Sequence, residues 1–359
     1  MISDRPGNTN AAMNRPSLRL ALAPLALLVA AFAAPATQET PAPAPQASTP
    51  PAAPKSSPFL WRIEGHGATA YLYGTIHLPD DRVLSLPGTV ERAFSESGAF
   101  YAEIEATAES QAQVQRAALL EPGVSLDRYV DAATWKRIDA RLAAKGVNAP
   151  MRTAIKRMEP WAISALLPTL DYFEDQMRGK APLDKDLYER AAKAGKTVGG
   201  LETVAEQLAV FGAFTREEHA RMLVDSLDQL DAYEAKGRNM IEEMITAWRS
   251  GADTKLMELL DDGFGTDPAV RARMERQLLW NRNQLLADRM SRKIKAAPTT
   301  TSFFAVGALH LPDPRRPEGL EGPALKEFET KKGLVTLLRE RGFQLTRVAA
   351  PAKAASGGR

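Results

Sequence analysis

The sequence predicts an α/β protein of mixed α+β character: one mixed β-sheet built from N- and C-terminal strands, with a large helical region between them. Three observations lead there. Apolar, β-rich runs bounded by glycine or proline cluster near the two ends of the folded region, at 59–64, 69–76 and 99–105, and again at 302–306 and 342–348. Residues 108–300 carry helical periodicity and helix caps. A heptapeptide, G-T-I-H-L-P-D at 74–80, recurs as G-A-L-H-L-P-D at 307–313, each copy directly after a β-rich run.

The first 36 residues read as an export signal. Arg15 and Arg19 supply positive charge, 18–34 is apolar apart from Pro24, and small-residue cleavage options lie at 31–33 and 34–36. Met13 opens a conventional signal of this kind, which makes it a possible true start. The apolar run is short for a membrane span, so membrane attachment is expected only if the segment stays uncleaved. Cleavage places the protein in the periplasm or outside the cell. Residues 37–58, rich in Pro, Ala, Ser and Thr, make a disordered spacer. A single folded domain is expected over 59–349, with the helical insert at about 108–300, followed by a low-complexity tail at 350–359.

Within the domain, 59–64 and 69–76 form a hairpin across the glycine-rich turn G-H-G-A, where His66 has a structural or incidental place. Pro87 starts a short helix with Val90 and Phe94 on one face. Residues 99–105 (A-F-Y-A-E-I-E) alternate as a strand. A helix at 133–145 closes on Gly146, and 160–173 buries Trp161, Leu166, Leu167 and Leu170. The helix 183–194 stops at Gly195, and 196–201 (K-T-V-G-G-L) is a buried strand that delivers Glu202. Thr203 with Glu206, and Thr215 with Glu218, have capping-box spacing. His219, in the first turns of the second of these helices, is expected at the surface. One long helix covers 267–295, an amphipathic helix covers 322–341, and the Pro/Gly-rich stretch 312–321 is a loop suited to rimming a site.

Composition narrows the function. A net charge of +2 over 359 residues gives no electrostatic case for nucleic acid. The absence of cysteine excludes disulfides, thiolate metal sites and cysteine nucleophiles. Nothing matches G-x-S-x-G, a phosphate-binding P-loop or H-E-x-x-H, and covalent haem lacks its C-x-x-C-H.

The repeated G-x-x-H therefore carries the chemistry. Glycine permits close approach, proline two residues after the histidine ends the strand, and His77 and His310 are left at strand ends with rings free to bind metal or move a proton. Glu103 and Glu105, two apart on one strand, share a face, where two carboxylates need solvent, partners or a cation. His77, His310 and Glu103 together make a two-histidine, one-carboxylate metal set with an open position, and imidazole with carboxylate suits Mn, Co or Zn. The competing readings are satisfied core histidines and an exposed edge strand. Arg282 and Asn283 interrupt the apolar stripes of the 267–295 helix and either need buried partners or lie on its surface.

These pieces resemble the TraB/GumN family, which includes the Tiki metalloproteases and is related to the erythromycin-esterase/ChaN-like group. The resemblance runs over roughly 59–348 and rests on L-W-R-I (60–63), Y-G-T-I-H (73–77), E-I-E (103–105), P-L-D-K-D-L (182–187), G-K-T-V-G-G-L-E-T (195–203), W-N-R-N (280–283) and V-G-A-L-H-L-P (306–312). It implies a divalent-metal-dependent hydrolase of peptides or small envelope substrates, with His77, His310 and Glu103 at the active centre. It also implies active-site places for Arg282 and Asn283, with Glu202 and Gln207, from the L-E-T-x-x-E-Q pattern, around them. Arg282 is expected to stabilise an oxyanion, and Glu105 or a free histidine to act as base. A haem- or ligand-binding envelope protein of the same fold is the alternative, since ChaN-like relatives bind haem. The second copy departs from the family in reading H-L-P-D where many members have H-L-P-G, which leaves the shape of the loop after His310 open.

Overall fold

The computed structural model describes residues 57–261 and 267–349. The expected signal, nearly all of the spacer and the tail lie outside these residues.

Six strands form one mixed sheet in the order β4-β3-β5-β2-β1-β6. They are β1 (Leu60–Gly65), β2 (Ala68–Thr75), β3 (Ala99–Ala102), β4 (Thr197–Gly200), β5 (Ser302–Gly307) and β6 (Gln344–Arg347). β4, β3, β5 and β2 run parallel to one another, and β1 lies antiparallel to both β2 and β6. The hairpin is as expected: Gly65 pairs with Ala68, and the two turn residues, His66 and Gly67, both have positive φ, the backbone of a tight two-residue turn. The His66 ring packs edge-on against Phe343.

The late strand β5 is the centre of the sheet. All six of its residues are buried, as expected for a parallel strand covered on both faces. Its Phe303 packs against Tyr73, Phe94 and Phe100. A second apolar cluster lies in the helical region, around Leu142, Ile163, Leu166, Leu223 and the stacked rings of Trp161 and Phe211. Ile104 belongs to that second cluster and Ala102 to the first, so Glu103 stands where the chain passes from one core to the other.

Several expectations need correction. β3 ends at Ala102, not at residue 105. β4 is an edge strand and only partly buried, because no strand among the described residues pairs with its outer side. The helix expected over 322–341 is two helices, Gly322–Glu329 and Leu334–Glu340. Between them the chain crosses the carbonyls of Leu311 and Pro312 so closely that a Cβ on Gly333 would collide with both oxygens. His219 is buried, with only 4% exposure, against Phe211 and Phe214 rather than at the surface. The 268–296 helix is continuous but contains a π turn, Arg276–Trp280, immediately before Arg282. Both capping boxes form.

Candidate active site

Four parallel strands finish at the same sheet edge, and each hands on a polar side chain. β2 leads to His77, β3 to Glu103, β4 to Glu202 and β5, through a 3-10 turn, to His310. This is the edge where open α/β sheets bind ligands. The two G-x-x-H copies are direct neighbours but are offset by one residue, since Gly307 pairs with Thr75 and not with Gly74. Gly307 is the floor between them. A Cβ there would meet Glu103 Oε1 at 3.3 Å, His77 Nε2 at 3.5 Å and His310 Cδ2 at 3.6 Å.

Each histidine is held from behind. His77 bonds through Nδ1 to Asp184, whose other carboxylate oxygen accepts from the Thr75 hydroxyl. His310 donates from Nδ1 to Asn283 Oδ1 at 2.6 Å, an orientation fixed because the Asn283 amide donates to the Lys332 carbonyl at 2.9 Å. Both Nε2 atoms are thereby left for the space above Gly307. Asp184 lies in the first turn of the helix Leu183–Lys193 and was the residue without an expected role, although it lies in the P-L-D-K-D-L motif.

Glu103 is 4% exposed and fully engaged. Oε1 accepts the Gly307 N–H at 2.7 Å and lies 3.8 Å from His310 Nε2. Oε2 accepts from Arg282 at 2.5 Å and from Gln207 at 3.0 Å. Arg282 also clamps Glu202 through Nε and Nη2, and its Nη1 donates to the Leu278 carbonyl. That carbonyl lies inside the π turn, where helical bonding is shifted and an oxygen is available to a side chain. Arg282 and Asn283 are therefore buried, and their donors point at Glu103, Glu202, Leu278 and Lys332. Glu105, by contrast, is exposed. With β3 ending at Ala102, Glu103 and Glu105 do not share a strand face.

Burial and charge set the protonation states. Burial would raise the Glu103 carboxyl, but Arg282 and the two histidines outweigh it and hold it well below the usual range. Burial pushes His310 down to about 3, against the pull of Glu103. Burial also lowers His77, but the Asp184 carboxylate overcomes it and the net shift is upward. Glu202 is raised by burial despite Arg282. The two histidines are thus separated in basicity, a pattern of sites that handle protons or cations.

Among the described residues, no group of three or more His, Asp and Glu side chains is gathered tightly enough to hold a metal ion. The donor chemistry nevertheless fits one: two Nε2 atoms face one space beside a carboxylate oxygen, and each ring is oriented by a hydrogen-bond acceptor on its far nitrogen. A hollow of about 50 Å³ opens beside His77, Glu103 and Asp184, though His310 does not line it.

A family model described as the TraB/PrgY/gumN family matches residues 59–320. Metalloprotease TIKI1 of Danio rerio is 26% identical over 290 residues, 70% of this chain and 58% of that protein. Metalloprotease TIKI2 of Danio rerio is 24% identical, covering 70% and 57%. A metalloprotease TIKI homolog of Nematostella vectensis is 23% identical, covering 70% and 62%. The chain thus spans less than two thirds of the length of these relatives. No solved structure matches it.

Proposed function

The chain belongs to the TraB/PrgY/gumN family, and on that premise we propose that it is a divalent-metal-dependent hydrolase of peptide bonds. The observation that carries this reading is the pair of buried imidazoles whose Nε2 atoms face one space beside Glu103, each anchored through Nδ1. A divalent ion such as Mn, Co or Zn, held by His77 and His310 with Glu103 beside them, would supply an acidified water and polarise a carbonyl.

The chain's own groups supply the rest. His310 stays neutral, which keeps its Nε2 lone pair available for a cation. Asp184 fixes the tautomer and direction of His77. Arg282 neutralises Glu103 and Glu202 and has no donor directed at the hollow, so we assign it to positioning these carboxylates rather than to an oxyanion. Asn283 and Gln207 likewise position His310 and Glu103. The base role expected for Glu105 has less support, because that residue sits at the exposed rim. The small hollow suits an ion and water better than a haem macrocycle. We also propose export, from the signal-like N-terminus, with peptide or small envelope substrates; sequencing the N-terminus of the mature protein checks it.

Elemental analysis of protein purified without chelator tests the central claim, beside the His77→Ala/His310→Ala double variant. Near-stoichiometric metal in the parent and its loss in a folded variant is expected, with hydrolysis of a peptide pool on adding Mn²⁺. Absence of metal from both, and no turnover, would sink the reading.

A further inference from the structure

We infer that the groove beside the catalytic hollow is a subsite for a carboxylate of the peptide substrate, with Lys293 and Arg292 as its cationic contacts. The substrate class rests on the hydrolase reading above; the subsite rests on the groove itself. This groove, about 600 Å³, runs between the end of β4 and the helix Asn281–Ala296, with Gly200 and Leu201 on one side and Arg289, Arg292 and Lys293 on the other. Glu105 and Ser110 line both the groove and the hollow that holds His77, so the two spaces share a wall.

The groove is lined by three carboxylates, Glu105, Glu202 and Glu206, and three cations, Arg289, Arg292 and Lys293. Glu202 is bound to Arg282, and Glu206 to Arg289 at 2.6 Å and 2.9 Å. That leaves Glu105 as the lining carboxylate near Lys293, with Arg292 exposed on the same groove. Neither Lys293 nor Arg292 forms an ion pair among the described residues. Lys293 is half-buried, with its ammonium 4.1 Å from the centre of the Tyr101 ring. Burial lowers that ammonium, and Glu105 offsets the effect in part. A half-buried cation is ordinarily matched by an anion. Here Glu105 offsets burial only in part and makes no ion pair with the ammonium, which lines the groove next to the reacting groups. Every peptide ends in a carboxylate, and acidic side chains carry the same group. Both would meet the ammonium and the adjacent guanidinium together.

Three fluorescein-labelled hexapeptides of alanine and leucine test this with the full chain and Mn²⁺. One has a free C-terminal carboxylate, one a C-terminal amide, and one the amide with a penultimate glutamate. Anisotropy should show the amide binding roughly tenfold more weakly than the free acid, the size expected of one good charged contact. Lys293→Ala/Arg292→Ala should erase the difference while binding the amide as the parent does, and Lys293→Arg should restore most of it. Recovery of affinity by the glutamate peptide would identify a side-chain carboxylate as the ligand; recovery only by the free acid would identify the C-terminus. Equal binding of all three by the parent, no binding of any, or a preference that survives the double variant would overturn the subsite. Cleavage is followed in the same samples. Carboxylate-dependent binding without cleavage would defeat the hydrolase reading and leave the subsite, whereas equal cleavage of all three would do the reverse.

Discussion

Asp184 and Arg282 act on the site through the groups they hold, His77 and the two buried glutamates, and each makes a separable prediction. Asp184→Asn keeps the shape of the group behind His77 but removes its charge. Metal affinity should fall roughly ten- to a hundredfold, as for other acceptors behind a ligating histidine, with the fold intact. A Mn²⁺ titration followed by thermal shift checks this, and unchanged affinity would count against His77 as a ligand. Arg282→Met leaves Glu103 and Glu202 buried and unpaired. Breaking such a pair costs about 3–5 kcal/mol, and urea unfolding would measure it; a loss below about 1 kcal/mol would mean that the carboxylates find other partners. The histidines and Glu103 were legible because a repeated motif and a strand end both point to them. Asp184 was not, since an acid in the first turn of a helix usually answers the helix dipole. Glu105 was misplaced because period-two alternation continues past Ala102 in the sequence, while the backbone turns away into the second core. His219 was misplaced because its neighbours R-E-E read as surface, whereas its aromatic partners come from the preceding 3-10 turn.

Loops and helix ends decide how the second histidine is held. Asp313, the residue that departs from the family pattern, accepts the Gly333 N–H and the Thr336 hydroxyl, both at 2.8 Å. It ties the loop after His310 to the start of the helix Leu334–Glu340, where the chain passes tightly under Leu311. Gly333→Ala should force this crossing apart at a cost of about 1–3 kcal/mol. It should also weaken the Lys332–Asn283–His310 chain. Lower Tm together with lower metal affinity is expected; lower Tm alone would show that the crossing and the site are independent. Periodicity gave the hairpin, the capping boxes and the long helix. The break at 331–333 was missed although the sequence carries its signal, the polar run E-T-K-K-G at 329–333, because the apolar residues on either side of it keep a helical spacing. Periodicity could not give the π turn, which one extra residue per turn creates without a composition signal.

Acid should weaken the fold. His219 is pushed down to about 4 by burial, with Glu218 pulling up and Arg216 pushing further down. The unfolded chain therefore takes up a proton at this residue from pH 6.5 downward while the folded chain does not, and stability falls until about pH 4. This single group is worth about 3 kcal/mol over that window. Glu103 works in the same direction at lower pH: its carboxylate is depressed in the folded state, so the stability it provides is lost as acid reaches it. Thermal unfolding across pH 7 to 4 should show a shallower decline for His219→Leu than for the parent, and parallel curves would remove His219 as the cause. The mixed sheet and its helical middle were legible from the placement of the β-rich runs. Strand order was not, because local pattern does not say which strand lies between which. That order has a temporal meaning. β5 occupies the slot between β2 and β3, and synthesis reaches it only after some three hundred residues have been made. Until then the early strands have no shared neighbour, and His77 and Glu103 have no floor beneath them. On the hydrolase reading proposed above, an emerging polypeptide therefore lacks the geometry to attack anything around it, its own unfolded segments included, until β5 has joined the sheet.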